Sequence, residues 1–202
     1  GYGTKANRGP TGWYEVRALA GGGAFIDMGI HALDTARFLM GDPLPLSVFA
    51  GAGTYYRDID VEDTGIMMVR WLTGGCSYIE AGNWQPWSDG PDAATQLYGT
   101  KGFGQVFPTR LAFPGPEVSQ LDIMPAPLPP REKHIQQEMY DEQMAHFVRC
   151  VRSGLQPEPS GVQGWINMRI LDAAYASAGT GDSVRIERSE HDGIGAGTLP
   201  GR

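Results

Sequence analysis

The chain is poor in the features that mark several functional classes. It has two cysteines in 202 residues, Cys76 and Cys150, far apart in unrelated elements. That argues against a disulfide framework or a zinc knuckle and leaves both as small core residues. Lys and Arg number 16 against 23 Asp and Glu, for a net charge of −7. No basic run gathers the few cations, which argues against non-specific binding to nucleic acid or to an anionic membrane. No apolar run reaches the roughly 18 residues that a membrane-spanning helix needs. No complete G-x-G-x-x-G occurs: Gly51-Ala52-Gly53 runs into Thr54-Tyr55-Tyr56, and Gly102-Phe103-Gly104 into Gln105-Val106-Phe107. With no Walker loop and no G-x-S-x-G elbow either, a self-contained nucleotide-binding fold is not expected. The expected partner is a small molecule or a protein. The chain starts at Gly1 without a signal-like segment, and reads as part of a longer polypeptide with a cytoplasmic setting.

What the chain does have is globular: 41% hydrophobic and 19% charged residues, enough for one large domain or two small ones. Residues 1–188 are expected to form one domain. The glycine-rich, polar stretch 189–202 has no core-forming pattern and is expected to be disordered.

The rest is organised around Gly21-Gly22-Gly23-Ala24-Phe25-Ile26-Asp27-Met28-Gly29-Ile30-His31-Ala32-Leu33-Asp34, which runs on to Met40-Gly41-Asp42-Pro43. Apolar residues cover most of the circumference of a helix over this stretch, so a buried helix is expected. Gly41 can end it in the left-handed conformation, and Pro43 and Pro45 block its continuation. Three glycines supply no side-chain cap at its start, but allow close approach and leave free N–H groups at the positive helix end. Asp27, His31 and Asp34 fall at i, i+4 and i+7 on one stripe, with Phe38 continuing the line. Burying such groups is costly unless they pair, bind a metal or face a cleft. A structural Asp/His pair and a functional site explain that stripe equally well.

Downstream, Leu46–Tyr56, Thr64–Leu72 and Cys76–Trp84 read as strands. The second and third are joined by the turn Thr73-Gly74-Gly75 into an antiparallel hairpin. Ala93–Tyr98 and Phe103–Phe107 flank the turn Gly99-Thr100-Lys101-Gly102, and Leu111–Phe113 and Leu121–Ile123 are edge candidates. Prolines between Pro125 and Pro130 make a stiff connector. Ile135, Met139, Phe147, Cys150 and Val151 share a face of a helix that stops at Gly154. Ser160-Gly161-Val162-Gln163 fits a capping box for a last helix to Gly179, and Ser183–Glu187 is a final strand. This order predicts an α+β fold: a large, mostly antiparallel, open-faced sheet with helices packed on one face. The aromatic residues Tyr55, Trp71, Tyr78, Trp84, Trp87, Tyr98 and Phe103 suit either core packing or a subunit interface on the other face.

The stretch Gly21 to Asp34 resembles the G-G-G-x-L-x-D-x-G-x-H-x-x-D signature of the glucose-fructose oxidoreductase / inositol dehydrogenase (Gfo/Idh/MocA) family. Supporting matches are Gly9-Pro10-Thr11-Gly12-Trp13-Tyr14, Leu97-Tyr98-Gly99-Thr100-Lys101-Gly102, and Pro159-Ser160-Gly161 opening a helix that ends in Ser177-Ala178-Gly179. The resemblance covers roughly Gly9 to Glu187 and is to the C-terminal domain alone.

It implies an NAD(P)-dependent oxidoreductase acting on a sugar, polyol or related alcohol. NAD or NADP would be bound mainly by an N-terminal Rossmann domain, which also carries the family's lysine in an E-K-P motif. This chain alone is expected to bind no cofactor and to be inactive. The resemblance implies His31 as the acid/base and Asp27 as its partner or a substrate ligand, chemistry that suits an imidazole near neutral pH. Trp13, Tyr14 and Trp84 become candidate substrate contacts, against packing, lid or interface roles, and Asp34 is expected to be mainly structural. The open sheet face is expected to build a homo-oligomer. The alternatives are a non-catalytic binding or oligomerisation module, and a metal enzyme ligated by Asp27, His31 and Asp34.

Overall fold

A computed structural model describes residues 12–82, 95–106, 110–113, 119–121 and 137–193. A 3-10 turn, Trp13–Glu15, leads to α1 (Arg17–Ala20) and to a π turn, Phe25–Gly29, that runs into α2 (Ile30–Leu39). Seven strands follow: β1 (Pro45–Gly53), β2 (Thr64–Trp71), β3 (Cys76–Gly82), β4 (Thr95–Gly99), β5 (Gly102–Val106), β6 (Arg110–Phe113) and β7 (Ser119–Leu121). Then come α3 (Gln137–Ser153), α4 (Gly161–Thr180) and β8 (Val184–Arg185). The α+β class read from the sequence holds, and every strand pairing is antiparallel. The strands form two four-stranded sheets, and the chain divides into two compact units, 1–93 with 162–202, and 94–161.

In the first unit the sheet order is β3-β2-β1-β8. Alternation decides which face is covered: Val48 and Ala50 of β1, Met67, Val69 and Trp71 of β2, and Ile79 and Ala81 of β3 are buried. Against them pack Ala24, Phe25 and Leu33 from the π turn and α2, and Ile166, Ile170, Leu171, Ala173 and Ala174 from α4. The helices of this unit therefore cover one face of its sheet. The opposite face carries the cross-strand row Phe49, Met68 and Tyr78, and beside it Ile66, with Phe49, Ile66 and Tyr78 exposed.

The stop of α2 is as the sequence predicts. Gly41 has φ 79°, its N–H donates to the Phe38 carbonyl and the Asp42 N–H to the Arg37 carbonyl, the paired bonds of a Schellman motif. The burial of α2 differs from expectation. Leu33, Ala36 and Arg37 are buried, whereas His31, Thr35, Phe38 and Leu39 lie on an exposed face. A single sheet contact leaves the far side of a helix open, however apolar its residues.

At the far end of the unit, the buried Ser177 hydroxyl donates to the Asp182 carbonyl at 2.6 Å and accepts the Ala50 N–H at 2.8 Å. The Trp71 indole N–H donates to Ser77 at 2.9 Å across the β2–β3 hairpin. The stretch from Ser189 opens with a 3-10 turn, Glu190–Gly193, in which Asp192 pairs with Arg169 of α4 at 2.7 Å.

The second unit is a meander, β4-β5-β6-β7. Its first hairpin places Gly99 opposite Gly102 and Tyr98 opposite Phe103, whose rings lie 5.1 Å apart. α3 ends at Gly154, φ 64°. The expected apolar face of α3 is largely open: Cys150 is buried, while Met139, Phe147 and Val151 are exposed. Ile135 lies outside the described residues.

Candidate active site

Four consecutive residues before β2, Asp60-Val61-Glu62-Asp63, fasten the start of the central motif. Glu62 is 4% exposed, and its Oε1 accepts the N–H groups of Gly23 at 2.9 Å and Phe25 at 3.1 Å. The Tyr175 hydroxyl donates to the same oxygen at 2.7 Å, and the Ala24 N–H donates to the Glu62 carbonyl at 2.8 Å. The amides that the sequence leaves free at this helix start are thus capped by a carboxylate 39 residues further on. A negative group already seated there disfavours a phosphate at the same place.

The glycines make the arrangement possible. A Cβ on Gly23 would lie 1.9 Å from the Glu62 carbonyl oxygen, and one on Gly22 1.9 Å from the Tyr175 hydroxyl. Burial, reinforced by the bond to Glu62, pushes the Tyr175 hydroxyl pKa far up, so it remains a donor. The second Glu62 oxygen finds no hydrogen bond among the described residues and faces Arg17 Nη2 at 3.8 Å.

The neighbouring carboxylates hold the adjoining loops. Asp63 is fully buried and accepts N–H bonds from Tyr55, Tyr56 and Arg57. Asp60 takes the Arg17 N–H at 2.6 Å at the start of α1, and Arg57 pairs with Glu15. The leading segment that carries Trp13 and Tyr14 is therefore tied to the same strap as the motif.

The phenyl ring of Phe25 sits where a Cβ on Gly65 of β2 would lie, 2.4 Å from it, with Tyr175 edge-on at 5.7 Å. This locks the π turn, in which the Ile30 N–H reaches back to the Phe25 carbonyl. The wider turn changes the angle between Asp27 and His31 from that of a regular helix; such turns inside helices cluster at functional sites.

Asp27 is half-buried within the π turn, and His31 is exposed on the first turn of α2. Asp34 accepts a 2.7 Å bond from Asn167 Nδ2 of α4. Asn167 in turn accepts from Arg37 Nη1 at 2.7 Å, and the same nitrogen donates to the Gln163 carbonyl at 3.2 Å. Burial lowers the pKa of the Arg37 guanidinium, against the pull of Asp42 and Asp34. Asp34 is thus a fastener between α2 and α4, and no group of three or more His, Cys, Asp or Glu is placed to hold a metal among the described residues.

Trp13 and Tyr14 stack on each other at 3.8 Å, Trp13 exposed and Tyr14 half-buried. Trp84 and Trp87 lie outside the described residues. The residues that sequence reasoning missed are Glu62, Asp63, Arg37 and Tyr175. The one available signal was a pair of acids immediately before an apolar strand, where burial demands partners.

The family model of the GFO/IDH/MocA C-terminal domain matches residues 2–104. The chain belongs to the GFO/IDH/MocA family. This GFO/IDH/MocA chain is 27% identical over 174 residues to scyllo-inositol 2-dehydrogenase (NAD(+)) of Bacillus subtilis, covering 82% of this chain and 48% of that protein. It spans about half the length of this and another curated relative it matches. Among solved structures, it is similar to an aldose-aldose oxidoreductase from Caulobacter crescentus complexed with glycerol, at 26% identity and TM-score 0.65, over 88% of this chain and 52% of that one. An oxidoreductase from Agrobacterium radiobacter, solved with NAD+, L-tartaric acid and magnesium, shares the fold at TM-score 0.71 and 24% identity, over 91% of this chain and 54% of that one.

Proposed function

We propose that this chain is the substrate-binding and catalytic C-terminal domain of an NAD(P)-dependent oxidoreductase acting on a sugar, polyol or related alcohol. The dinucleotide is held mainly by an N-terminal Rossmann domain. The observation that carries the reading is His31 standing exposed on the first turn of α2, directly after a π turn clamped at its start by Glu62. A bound nicotinamide supplies the hydride acceptor. The residues of this chain supply the rest: His31 takes the hydroxyl proton, Asp27 orients the ring or the substrate, and Trp13, Tyr14 and Trp84 offer faces to the sugar. Similarity to a scyllo-inositol 2-dehydrogenase and to an aldose-aldose oxidoreductase supports the alcohol class.

The open face of the first sheet builds a homo-oligomer in this reading. Phe49, Met68 and Tyr78 form an apolar row across three strands with Ile66 beside it, more than an isolated surface needs.

The test is NAD+ reduction against a panel of inositols and aldoses, by the protein that joins this domain to its dinucleotide-binding domain. His31→Ala is expected to lower kcat by roughly a hundredfold to ten-thousandfold. Full activity in that variant overturns the reading in favour of a binding or assembly module. Tight NADH binding by this chain alone, followed by nicotinamide fluorescence, overturns the division of labour.

A further inference from the structure

We propose that Glu62 is a positioning residue: its carboxylate holds the π turn that carries Asp27 and leads directly into His31 in the geometry that proton transfer requires. The inference rests on the reading of His31 given above and extends it to a residue that touches neither substrate nor cofactor in that reading.

Glu62 gathers on one oxygen the N–H groups of Gly23 and Phe25 and the Tyr175 hydroxyl, at 2.9, 3.1 and 2.7 Å. The two amides bracket Ala24, so they fix the backbone where the π turn begins. Gly22 and Gly23 have no side chains to hold this segment, and any that they acquired would collide with Tyr175 or with Glu62 itself. A wide turn of the kind seen at Phe25–Gly29 is rare and persists only where its surroundings impose it.

Simple stability is a poor explanation for the choice of residue. A carboxylate that is 4% exposed, with one oxygen lacking a hydrogen bond among the described residues, is expensive to bury. An apolar side chain would seal the same space at less cost. What it could not do is fix two amides and a hydroxyl in register. The second oxygen faces Arg17, whose own N–H is held by Asp60. One carboxylate therefore spans the segment bearing Trp13 and Tyr14 and the turn that bears Asp27 and feeds His31.

The experiment compares Glu62→Ala, Glu62→Gln, His31→Ala and the Glu62→Ala/His31→Ala double variant, by kinetics in the joined protein and by amide hydrogen exchange in this chain. Glu62→Ala is expected to speed exchange at Gly23 and Phe25 and to lower kcat roughly a hundredfold, with KM for the alcohol little changed. Glu62→Gln keeps an acceptor oxygen for the two amides and Tyr175, and is expected to restore most of kcat. The double variant is expected to be no slower than His31→Ala alone, because both residues act through one group. A purely structural role would lower the melting temperature and leave kcat per folded molecule intact, which overturns the proposal. If Glu62→Ala does not fold, Glu62→Asp withdraws the carboxylate by one methylene: slower turnover with faster exchange supports the proposal, and neither change overturns it. Full kcat in the Glu62 variants, with His31→Ala inactive, overturns this proposal alone. Full kcat in His31→Ala overturns the functional reading and this one with it.

Discussion

The hydroxyl of Tyr175 reaches Glu62 across the space left by the absent side chain of Gly22. Two elements separated by 113 residues thereby meet on one carboxylate oxygen, and the glycine triplet is the gap through which they meet.

The two buried glycines differ in what they face, and their alanine variants are expected to differ accordingly. Gly23→Ala drives a methyl into the Glu62 backbone carbonyl, which cannot swing aside, and is expected to cost roughly 3 kcal/mol. Gly22→Ala meets the far end of the Tyr175 ring, which can move at the loss of its bond to Glu62, and is expected to cost less. Calorimetric melting of the two variants orders them; equal melting temperatures would contradict the assignment.

Tyr175→Phe removes a hydrogen bond to a carboxylate and is expected to cost about 2 kcal/mol near neutral pH. The folded-state pKa of this hydroxyl is raised above its ordinary value of 10.0. Below pH 10 both the folded and unfolded chains keep the proton, and the full contribution is present. Above it the unfolded chain loses the proton first, so the stability of the wild type falls as pH rises. Urea titrations from neutral to alkaline pH should therefore show the gap between wild type and Tyr175→Phe closing above about pH 10.

Arg37 is 1% exposed and supplies donors to the Asn167 side chain and the Gln163 carbonyl. Arg37→Met keeps most of the volume but leaves both acceptors short of a donor, and frees Asn167 from the orientation in which it serves Asp34. A loss of about 3 kcal/mol in urea unfolding is expected. A loss under 1 kcal/mol would mean that water replaces the guanidinium.

His31 presents the reverse case. It is exposed and no hydrogen bond holds its side chain among the described residues, so His31→Ala should shift unfolding by no more than about 0.5 kcal/mol while removing activity. A large loss of stability would indicate a structural histidine.

Ile66→Lys combined with Tyr78→Lys places two charges on the open sheet face without touching the core. Sedimentation velocity is expected to show a smaller species than the wild type; an unchanged sedimentation coefficient would remove this face from the assembly.

What could be read in the sequence was what depends on near neighbours. The β-rich runs and the glycine turn between the second and third marked β1, β2 and β3 as strands, and Gly41 marked the end of α2 because a left-handed stop is a local requirement. The glycine triplet announced a close approach without saying to what, since Glu62 and Tyr175 come from distant segments. Asp63 is one of 23 acids in the sequence, and only the fold shows it buried beneath three backbone amides. The π turn had no sequence cue, because an extra residue in a helical turn changes no side-chain type. The open face of α2 was likewise hidden, as Phe38 and Leu39 have the composition of a core helix and the exposure of a surface one.

The contact between Ser177 and Ala50 also bears on strand addition at one edge of the sheet. Among the described residues β8 pairs with β1 at Ser47 and Val48, and Ile186 adds a bond to Leu46, which would leave the amide of Ala50 as a vacant rung at the rim of the sheet. The Ser177 hydroxyl fills that rung from the side of a helix. A foreign strand arriving at this rim finds its first docking point already taken, so a single buried serine acts as a guard against runaway strand addition.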